Sequence, residues 1–342
     1  HYEQLRFPNS FTRTRTVLNS RALDGWFRYQ VGSTVQEVNV LDLAARAGQI
    51  SAKDPTVFKL LQQIEAAMLK TGTRTATADP LLDQYVWLSP GELFEHQPTV
   101  RIDHNISPMN RIFGRFSLQN PTVGEPNYWG NIGNPTNPPL VQHRRSFTLQ
   151  DTHTISPALI ANLSYGIARM DGARRVWSYG TDVTQYGLPP YYKSFQQIPA
   201  LPFITIAGKS GIVNNVNPFS SQLSHTAQGT LTKIHGGHSL KFGLDYRAYL
   251  INQFDNRNGM GSLSFAQTFT QGPDPNQARA DAGYGMATFL LGIPGGSMTI
   301  DVAPASRNSY WAGFFQDDWK VTPRLALNLG LRYEVNVPRS EE

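Results

Sequence analysis

The sequence contains no cysteine, which excludes a disulfide framework and any metal site built on thiolates. No apolar run approaches the roughly 20 residues that a membrane helix needs. Although the formal net charge is +5, Lys and Arg are scattered singly, so we expect no nucleic-acid partner. If the chain crosses a membrane, it does so with strands. Apolar and polar residues alternate along such strands, which is compatible with the low mean hydropathy of −0.35.

Motifs for catalysis and metal binding are also missing. Gly208–Ser210 looks like the end of a phosphate-binding loop, but Phe203 occupies the position where that motif needs glycine. Neither a G-x-S-x-G elbow nor an H-E-x-x-H helix occurs. His235 and His238 enclose two glycines without a third ligand, so a turn is favoured there over a metal site. We therefore expect no enzyme, no cofactor and no metal.

The clearest positive signal is the alternation between residues 325 and 337. One face carries Leu325, Leu327, Leu329, Leu331, Tyr333, Val335 and Val337, and the other carries Ala326, Asn328, Gly330, Arg332, Glu334 and Asn336. A period of two indicates a strand. Strands in soluble proteins are typically roughly 5–6 residues long, whereas a tilted strand needs about 9–11 to cross a bilayer. The pattern thus predicts a transmembrane strand with one lipid-facing side.

The same reading predicts about ten strands in five pairs. They cover residues 2–6 with 11–18, 100–106 with 111–118, 143–155 with 159–170, 222–234 with 239–251, and 307–320 with 325–337. In the strand 307–320, Trp311 and Phe315 are placed on the polar side together with Asp317. The predicted fold class is all-β, an antiparallel transmembrane β-barrel of which the chain supplies part.

Short turns with Ser/Thr-Pro or Gly-Gly alternate with long loops, at about 19–97, 119–143, 171–221 and 252–305. The first loop holds a predicted helix that begins after Asp54, with Pro55 in its first turn, and ends before Gly72. The later loops hold predicted strands at 203–206 and 262–268 and a helix at 282–291. Short periplasmic turns and long extracellular loops are typical of outer-membrane barrels.

The segment FFQDDWKVTPRLALNLGLRYE (314–334) resembles late barrel strands of TonB-dependent outer-membrane receptors, in particular the Oar-like group with an N-terminal carboxypeptidase-regulatory-like domain. RIDHNIS (101–107), NRIFGRFS (110–117) and ATFLLGIP (287–294) resemble the same group. The resemblance implies a plugged barrel of about 22 strands. It also implies import of a siderophore, oligosaccharide or peptide, driven by an inner-membrane TonB complex that pulls on the plug.

The chain shows neither an initiator Met nor a signal peptide, and His1–Arg6 looks like the middle of a strand. We therefore expect it to begin after the plug domain and to stop before the barrel closes. The expected partners are the lipid bilayer of the outer membrane, an unknown extracellular ligand, and the TonB complex acting through the plug.

Two sets of residues are candidates for function. The predicted lumen-facing charges are Arg101, Asp103, Arg111, Arg115, Lys241, Asp245, Arg247, Asp317, Arg332 and Glu334. They fit cross-strand ion pairing in a wet barrel, and contact with a plug or substrate is the alternative. The candidate ligand-contact aromatics of the loops are Trp87, Trp129, Trp177, Tyr191 and Tyr192, which would otherwise pack the loops together.

Two other functions share these features. A passive porin or adhesin-like outer-membrane barrel would have the same strands, and a plug sequence in the parent gene would separate it from a TonB-dependent receptor. A secreted β-rich carbohydrate-binding or enzymatic domain would pack its Leu faces against another sheet and would be soluble without detergent.

Overall fold

The computed structural model describes residues 2–31, 33–124, 133–134, 137–208, 211–214, 218–270 and 284–341. Its long strands are β1 (Tyr2–Leu18), β5 (Leu82–Ser107), β6 (Asn110–Gly124), β7 (Leu140–Ser156), β8 (Leu159–Ala173), β10 (Phe219–His235), β11 (His238–Phe254), β14 (Ala305–Thr322) and β15 (Leu325–Glu341). These nine strands form one antiparallel sheet in the order in which they are given, and β4 (Gly72–Ala76) pairs with β5 outside this path. Within the described residues β1 and β15 do not pair, so the barrel is open.

The smaller elements lie in the long connections. They are α1 (Ser20–Leu23), β2 (Trp26–Val31), β3 (Thr34–Asn39), α2 (Val40–Arg46), α3 (Pro55–Thr71), a 3-10 helix (Val183–Tyr186), α4 (Pro190–Phe195), β9 (Phe203–Ile206), β12 (Ser262–Phe265), a 3-10 helix (Thr268–Thr270), α5 (Gly285–Leu290) and β13 (Gly295–Ser297). Strands β13, β12 and β9 form a three-stranded sheet, and β2 pairs with β3. No helix in the described ranges is both long and apolar enough to cross a membrane.

Four tight turns join the strands at one end of the sheet, as the sequence predicts. In three of them a hydroxyl before the proline accepts a hydrogen bond from the backbone N–H two residues later: Ser107 from Met109 (3.2 Å), Ser156 from Ala158 (3.3 Å) and Thr322 from Arg324 (3.2 Å). The pairing register shifts by one residue at the end of each preceding strand. The fourth turn uses Gly236, whose φ of 59° favours glycine.

The structure corrects the sequence reading at the N-terminal end. The predicted hairpin within residues 2–18 is the single strand β1, so the sheet path has nine strands instead of ten. Strand β5 begins at Leu82, inside the predicted loop, and pairs with β1 over residues 82–98. Pro8 and Pro90 predict a turn and a loop, yet both lie within this paired ladder. The long antiparallel pairing of β1 with β5 therefore outweighs the tendency of these two prolines to interrupt a strand.

The connections 19–81, 174–214 and 255–304 pack together, and we call their described residues the loop body. Helix α3 begins as predicted, since the Asp54 carboxylate accepts a hydrogen bond from the N–H of Val57 (2.9 Å). One core of the loop body consists of Val57, Leu60, Val183, Tyr186, Leu201, Ile204, Ile206, Val213, Phe265, Met286 and Phe289. Because these residues come from all three connections, the apolar stripe of α3 serves the core of the loop body.

Candidate functional site

The strand register divides the sheet into two faces, because directly opposed residues of an antiparallel pair point to the same side. Arg332 lies opposite Phe314, and Glu334 lies opposite Ala312. We call their side the polar face. Leu331 lies opposite Phe315 on the other side, which we call the apolar face. The registers of the remaining pairs extend both faces from β15 to β1.

Nine of the ten residues predicted to face the lumen lie on the polar face: Arg101, Asp103, Arg111, Arg115, Lys241, Asp245, Arg247, Arg332 and Glu334. Their charges are sorted into rows of directly opposed residues. One row contains Arg101, Arg115 and Arg247, and the next row toward the turns contains Asp103, Asp245 and Glu334. Arg101 and Arg247 can therefore each reach a carboxylate two residues away on the same strand, whereas the corresponding neighbour of Arg115 is Phe113.

Ion pairs along the strands follow from this sorting. The Asp103 carboxylate accepts from Arg101 (2.7 Å) and from Arg111 (2.8 Å). A second pair joins Arg247 to Asp245 (2.7 Å). Of these pairs, Arg111–Asp103 is cross-strand, the kind that the sequence predicts, whereas the other two join residues of one strand.

A third ion pair lies on the last two strands. Arg332 donates to Glu334 (3.0 Å) and to the hydroxyl oxygen of Tyr310 (2.7 Å), and Tyr310 donates to Glu334 (2.8 Å). No hydrogen bond or ion pair engages the side chains of Arg115 and Lys241 within the part of the chain that the structure describes. These two cations remain available to a solute or to another part of the protein.

Arg115 lines a pocket of about 570 Å³ on the polar face, on the loop side of the charged rows. We call it the polar-face pocket. Its polar-face lining consists of Gln97, Arg115, Ser117, Gln119, Arg144, Ser146, Thr148, Ala168, Met170, Gln222, Ser224, Tyr249 and Ile251. This polar-face lining contains two arginines and no carboxylate, and Arg145 and Arg169 of the opposite face also border the pocket, so it is suited to a polar or anionic solute.

Arg144 is a site residue that the sequence reading missed. Its guanidinium donates to the side-chain oxygens of Gln119 (3.1 Å) and Gln142 (2.9 Å), which are neutral, and its buried Nε has no partner. The alternation of Ser146 and Thr148 against Phe147 and Leu149 extends to Arg144, but His143 and Arg145 on the other face weaken the pattern. One arginine in a strand that carries polar residues on both faces does not by itself indicate a binding site.

The loop aromatics separate into different environments. Trp87 is a correction to the predicted loop position: it lies in β5, is 6% exposed, and stacks on Tyr85 (5.1 Å between ring centroids) beside Met68 of α3. Its burial excludes contact with an extracellular ligand. Trp177 lines a cavity at the loop-side end of the apolar face. The predicted contact at Trp129 lies outside the described residues.

Tyr191 and Tyr192 lie on α4 beside a cleft of about 410 Å³, lined also by Phe195, Met298 and Ile300. Tyr191 is 66% exposed. The hydroxyl of Tyr192 donates to the carbonyl of Met260 (3.1 Å), and burial raises the pKa of Tyr192 to about 12. Tyr191 is thus free to contact a ligand, whereas Tyr192 forms the floor of the cleft.

The family model described as "Outer membrane beta barrel domain" matches residues 1–342. The chain belongs to this family. A comparison with curated proteins finds no significant match. Family membership places this outer membrane beta barrel domain in the outer membrane, with the lipid bilayer as its partner.

The bilayer explains the apolar face of this outer membrane beta barrel domain. Exposed apolar-face side chains include Val100, Ile102, Phe116, Phe147, Leu149, Leu163, Tyr165, Leu231, Phe242, Leu244, Trp311, Phe315, Leu329, Leu331 and Tyr333. Such an exposed surface would be costly in water. In a barrel it meets hydrocarbon, which accounts for the choice of Leu over better β-formers.

Asp317 is the exception among the predicted lumen-facing residues, and the prediction is wrong for it. Asp317 lies opposite Leu329 and Leu240, so it shares the apolar face with Trp311 and Phe315, which were also assigned to the polar side. The prediction errs because it uses the charge of Asp317 to define the polar side of this strand. The strand's register with β15 decides the face instead.

Asp317 is compensated by a histidine. Its carboxylate lies 2.7 Å from Nδ1 of His238, and the His238 ring stacks on Trp319 (5.0 Å, 14°). The other carboxylate oxygen is buried without a partner. Among the described residues no group of three or more His, Asp or Glu could hold a metal ion. The His235–His238 segment is a turn in the structure.

A repeat around the turns was also missed. QDTHTISP (150–157) and QDDWKVTP (316–323) align residue by residue, and RIDHNISP (101–108) follows the same spacing. The registers place His104, His153 and Trp319 of these segments on the apolar face, near the turns. Rings that are apolar at one edge and polar at the other suit the membrane interface. The repeat marks the turn-side edge of the membrane band.

Proposed function

We propose that this outer membrane beta barrel domain is the barrel part of a TonB-dependent receptor that imports a polar solute. The observation that carries the proposal is the position of the loop body. Met68 and Ile64 of α3 pack on Val17, Tyr85 and Trp87, which are polar-face residues of β1 and β5. The loop body therefore folds over the polar side of the sheet and restricts access to it.

The polar-face pocket supports a solute path below the loop body. Arg115 lies directly opposite Arg101, yet only Arg101 has a carboxylate, Asp103, to balance it. Directly opposed like charges are destabilising by themselves, so a solute or plug group that pairs with Arg115 would offset this repulsion. Glutamine and serine side chains around it offer further hydrogen bonds without a fixed partner geometry.

The cleft beside Tyr191 supports a first contact with the solute outside the cell. Its exposed rings and nearly apolar lining suit the faces of sugars, the aromatic parts of chelates, or apolar peptide side chains. These are the ligand types that the resemblance implies. We propose no catalytic role, since no nucleophile with an adjacent base was found in the sequence.

Energy coupling rests on the resemblance of residues 314–334 to late strands of TonB-dependent receptors. It can be tested without knowing the ligand. Spent medium of three strains is compared by mass spectrometry: wild type, a deletion of this gene, and a deletion of the TonB gene. We expect the same solutes to remain in the medium of both deletion strains. Uptake that needs this gene but not TonB would instead indicate a passive barrel.

A further inference from the structure

A second cavity lies on the membrane side of the sheet, at the loop-side end of the apolar face. We call it the rim cavity. It has a volume of about 460 Å³, and its lining includes Val141, His143, Asp171, Arg175, Trp177 and Phe219. It is separate from the polar-face pocket because Val141 and His143 point to the opposite side of β7 from Arg144.

Arg175 lines the rim cavity, and two further arginines lie in the next apolar-face row toward the turns. Arg145 and Arg169 lie directly opposite each other on β7 and β8, on the apolar face, and both are exposed. The nearby carboxylate, Asp171, accepts from Arg169 (2.9 Å) and from the Ser221 hydroxyl (2.7 Å). Arg145 makes no hydrogen bond or ion pair with the residues that the structure describes. The surroundings are therefore net positive, since one carboxylate, Asp171, faces the two opposed arginines and already pairs with Arg169.

The depth of these arginines follows from strand β8. Its apolar-face residues run from Leu159, at the turn, through Ala161, Leu163 and Tyr165 to Ile167, and Arg169 comes next. This apolar stretch matches the about 9–11 residues with which a tilted strand crosses the hydrocarbon layer. Arg169 and its opposed partner Arg145 consequently lie where the lipid headgroups of the loop-side leaflet begin.

We propose that the rim cavity binds the phosphate-bearing headgroup of a lipid in the loop-side leaflet. Guanidinium groups bind phosphate through two parallel hydrogen bonds, which explains the presence of arginines where neutral residues would cost less. Arg145 supplies one such group from the strand, and Arg175 supplies another from the loop. The rings of Trp177 and Phe219 cover the sugar or glycerol part of the headgroup. The proposal does not depend on how the barrel transports its solute.

The test uses the full-length protein, extracted from outer membranes in detergent, and native mass spectrometry with a phosphorylated glycolipid. The double variant Arg145→Gln/Arg175→Gln removes two cations that have no carboxylate partner among the described residues, Arg175 lying over the Tyr179 ring (4.7 Å to the centroid), and leaves the Arg169–Asp171 pair intact. Loss of charge-assisted hydrogen bonds should weaken lipid retention about tenfold. The wild type should bind the dephosphorylated glycolipid about as weakly as the double variant binds the phosphorylated one. Arg324→Gln, an exposed arginine at the turn end, is the matched control and should retain the lipid.

Three outcomes would overturn the proposal. Equal retention by the wild type and the double variant would show that the cations do not bind the lipid. Equal retention of the dephosphorylated lipid would remove the phosphate from the recognition. Displacement of the lipid by inorganic phosphate at the same concentration would indicate a site for free anions. A heat-dependent mobility shift on a gel verifies that each variant is folded.

Discussion

Asp317 lies directly opposite Leu329 on the apolar face, with its carboxylate 2.7 Å from the His238 ring. A carboxylate on a lipid-facing surface is costly unless it is paired or reaches the interface. Both conditions hold here, since His238 is the first residue after the Gly236–Gly237 turn and Trp319 stacks on its ring. The arrangement fixes the turn-side limit of the membrane band.

Removal of His238 should therefore destabilise the protein by more than the loss of one contact. His238→Ala leaves the Asp317 carboxylate buried without a partner, and we expect a loss of about 1–3 kcal/mol in the free energy of unfolding. Replacing both residues by Leu should restore most of this loss. Unfolding by urea, followed by tryptophan fluorescence, measures it. His235→Ala, across the same turn, is the control; an equal loss there would contradict the account.

The two faces of β15 should differ in their tolerance of charge. Leu331→Arg places a guanidinium in hydrocarbon opposite Phe315, and we expect a loss of about 2–4 kcal/mol in the unfolding free energy in lipid. Leu329→Arg is a poorer probe, because Asp317 would pair with the new charge. Asn328→Arg, on the polar face, should cost much less. Equal losses for Leu331→Arg and Asn328→Arg would refute the assignment of the faces.

The core of the loop body should be separable from the sheet. Leu60 of α3 is buried among residues from all three connections, whereas Leu69 of the same helix is exposed. Leu60→Ala should lower the stability of the loop body by about 2–5 kcal/mol, because it leaves a cavity. Limited proteolysis should then cut the loops faster while the heat-dependent mobility shift persists. If Leu69→Ala has the same effect, the packing of α3 described above is wrong.

The Tyr192 hydroxyl should lose its proton at a higher pH than an ordinary tyrosine hydroxyl does. Burial raises its pKa to about 12, above the ordinary value of about 10. A group whose pKa is higher in the folded protein stabilises the fold below pH 10, and this contribution disappears as the pH rises through 12. The alkaline absorbance titration of the wild type minus that of Tyr192→Phe should show one phenol titrating near pH 12. A difference centred near pH 10 would mean that Tyr192 is solvated.

The sequence predicted elements well where period and turn chemistry agreed. Helix α3 and strand β9 have the expected bounds, and the Ser/Thr-Pro turns have the expected hydroxyl bonds. The N-terminal part was misread because Pro8 and Pro90 interrupt the local pattern, while the pairing of β1 with β5 is a long-range property. For the same reason neither the face of Asp317 nor the rim cavity could be predicted, since both depend on strand register.

The proposed function requires that the polar side of the barrel is closed by the loop body and a plug and is not an open pore. The most direct measurement is the conductance of the full-length protein in a planar lipid bilayer. If the loop body and a plug close the polar side, the untreated protein should give no stable conductance, and steps should appear only after denaturant is added on the turn side. Stable, large conductance steps from the untreated protein would contradict the account and identify a passive porin.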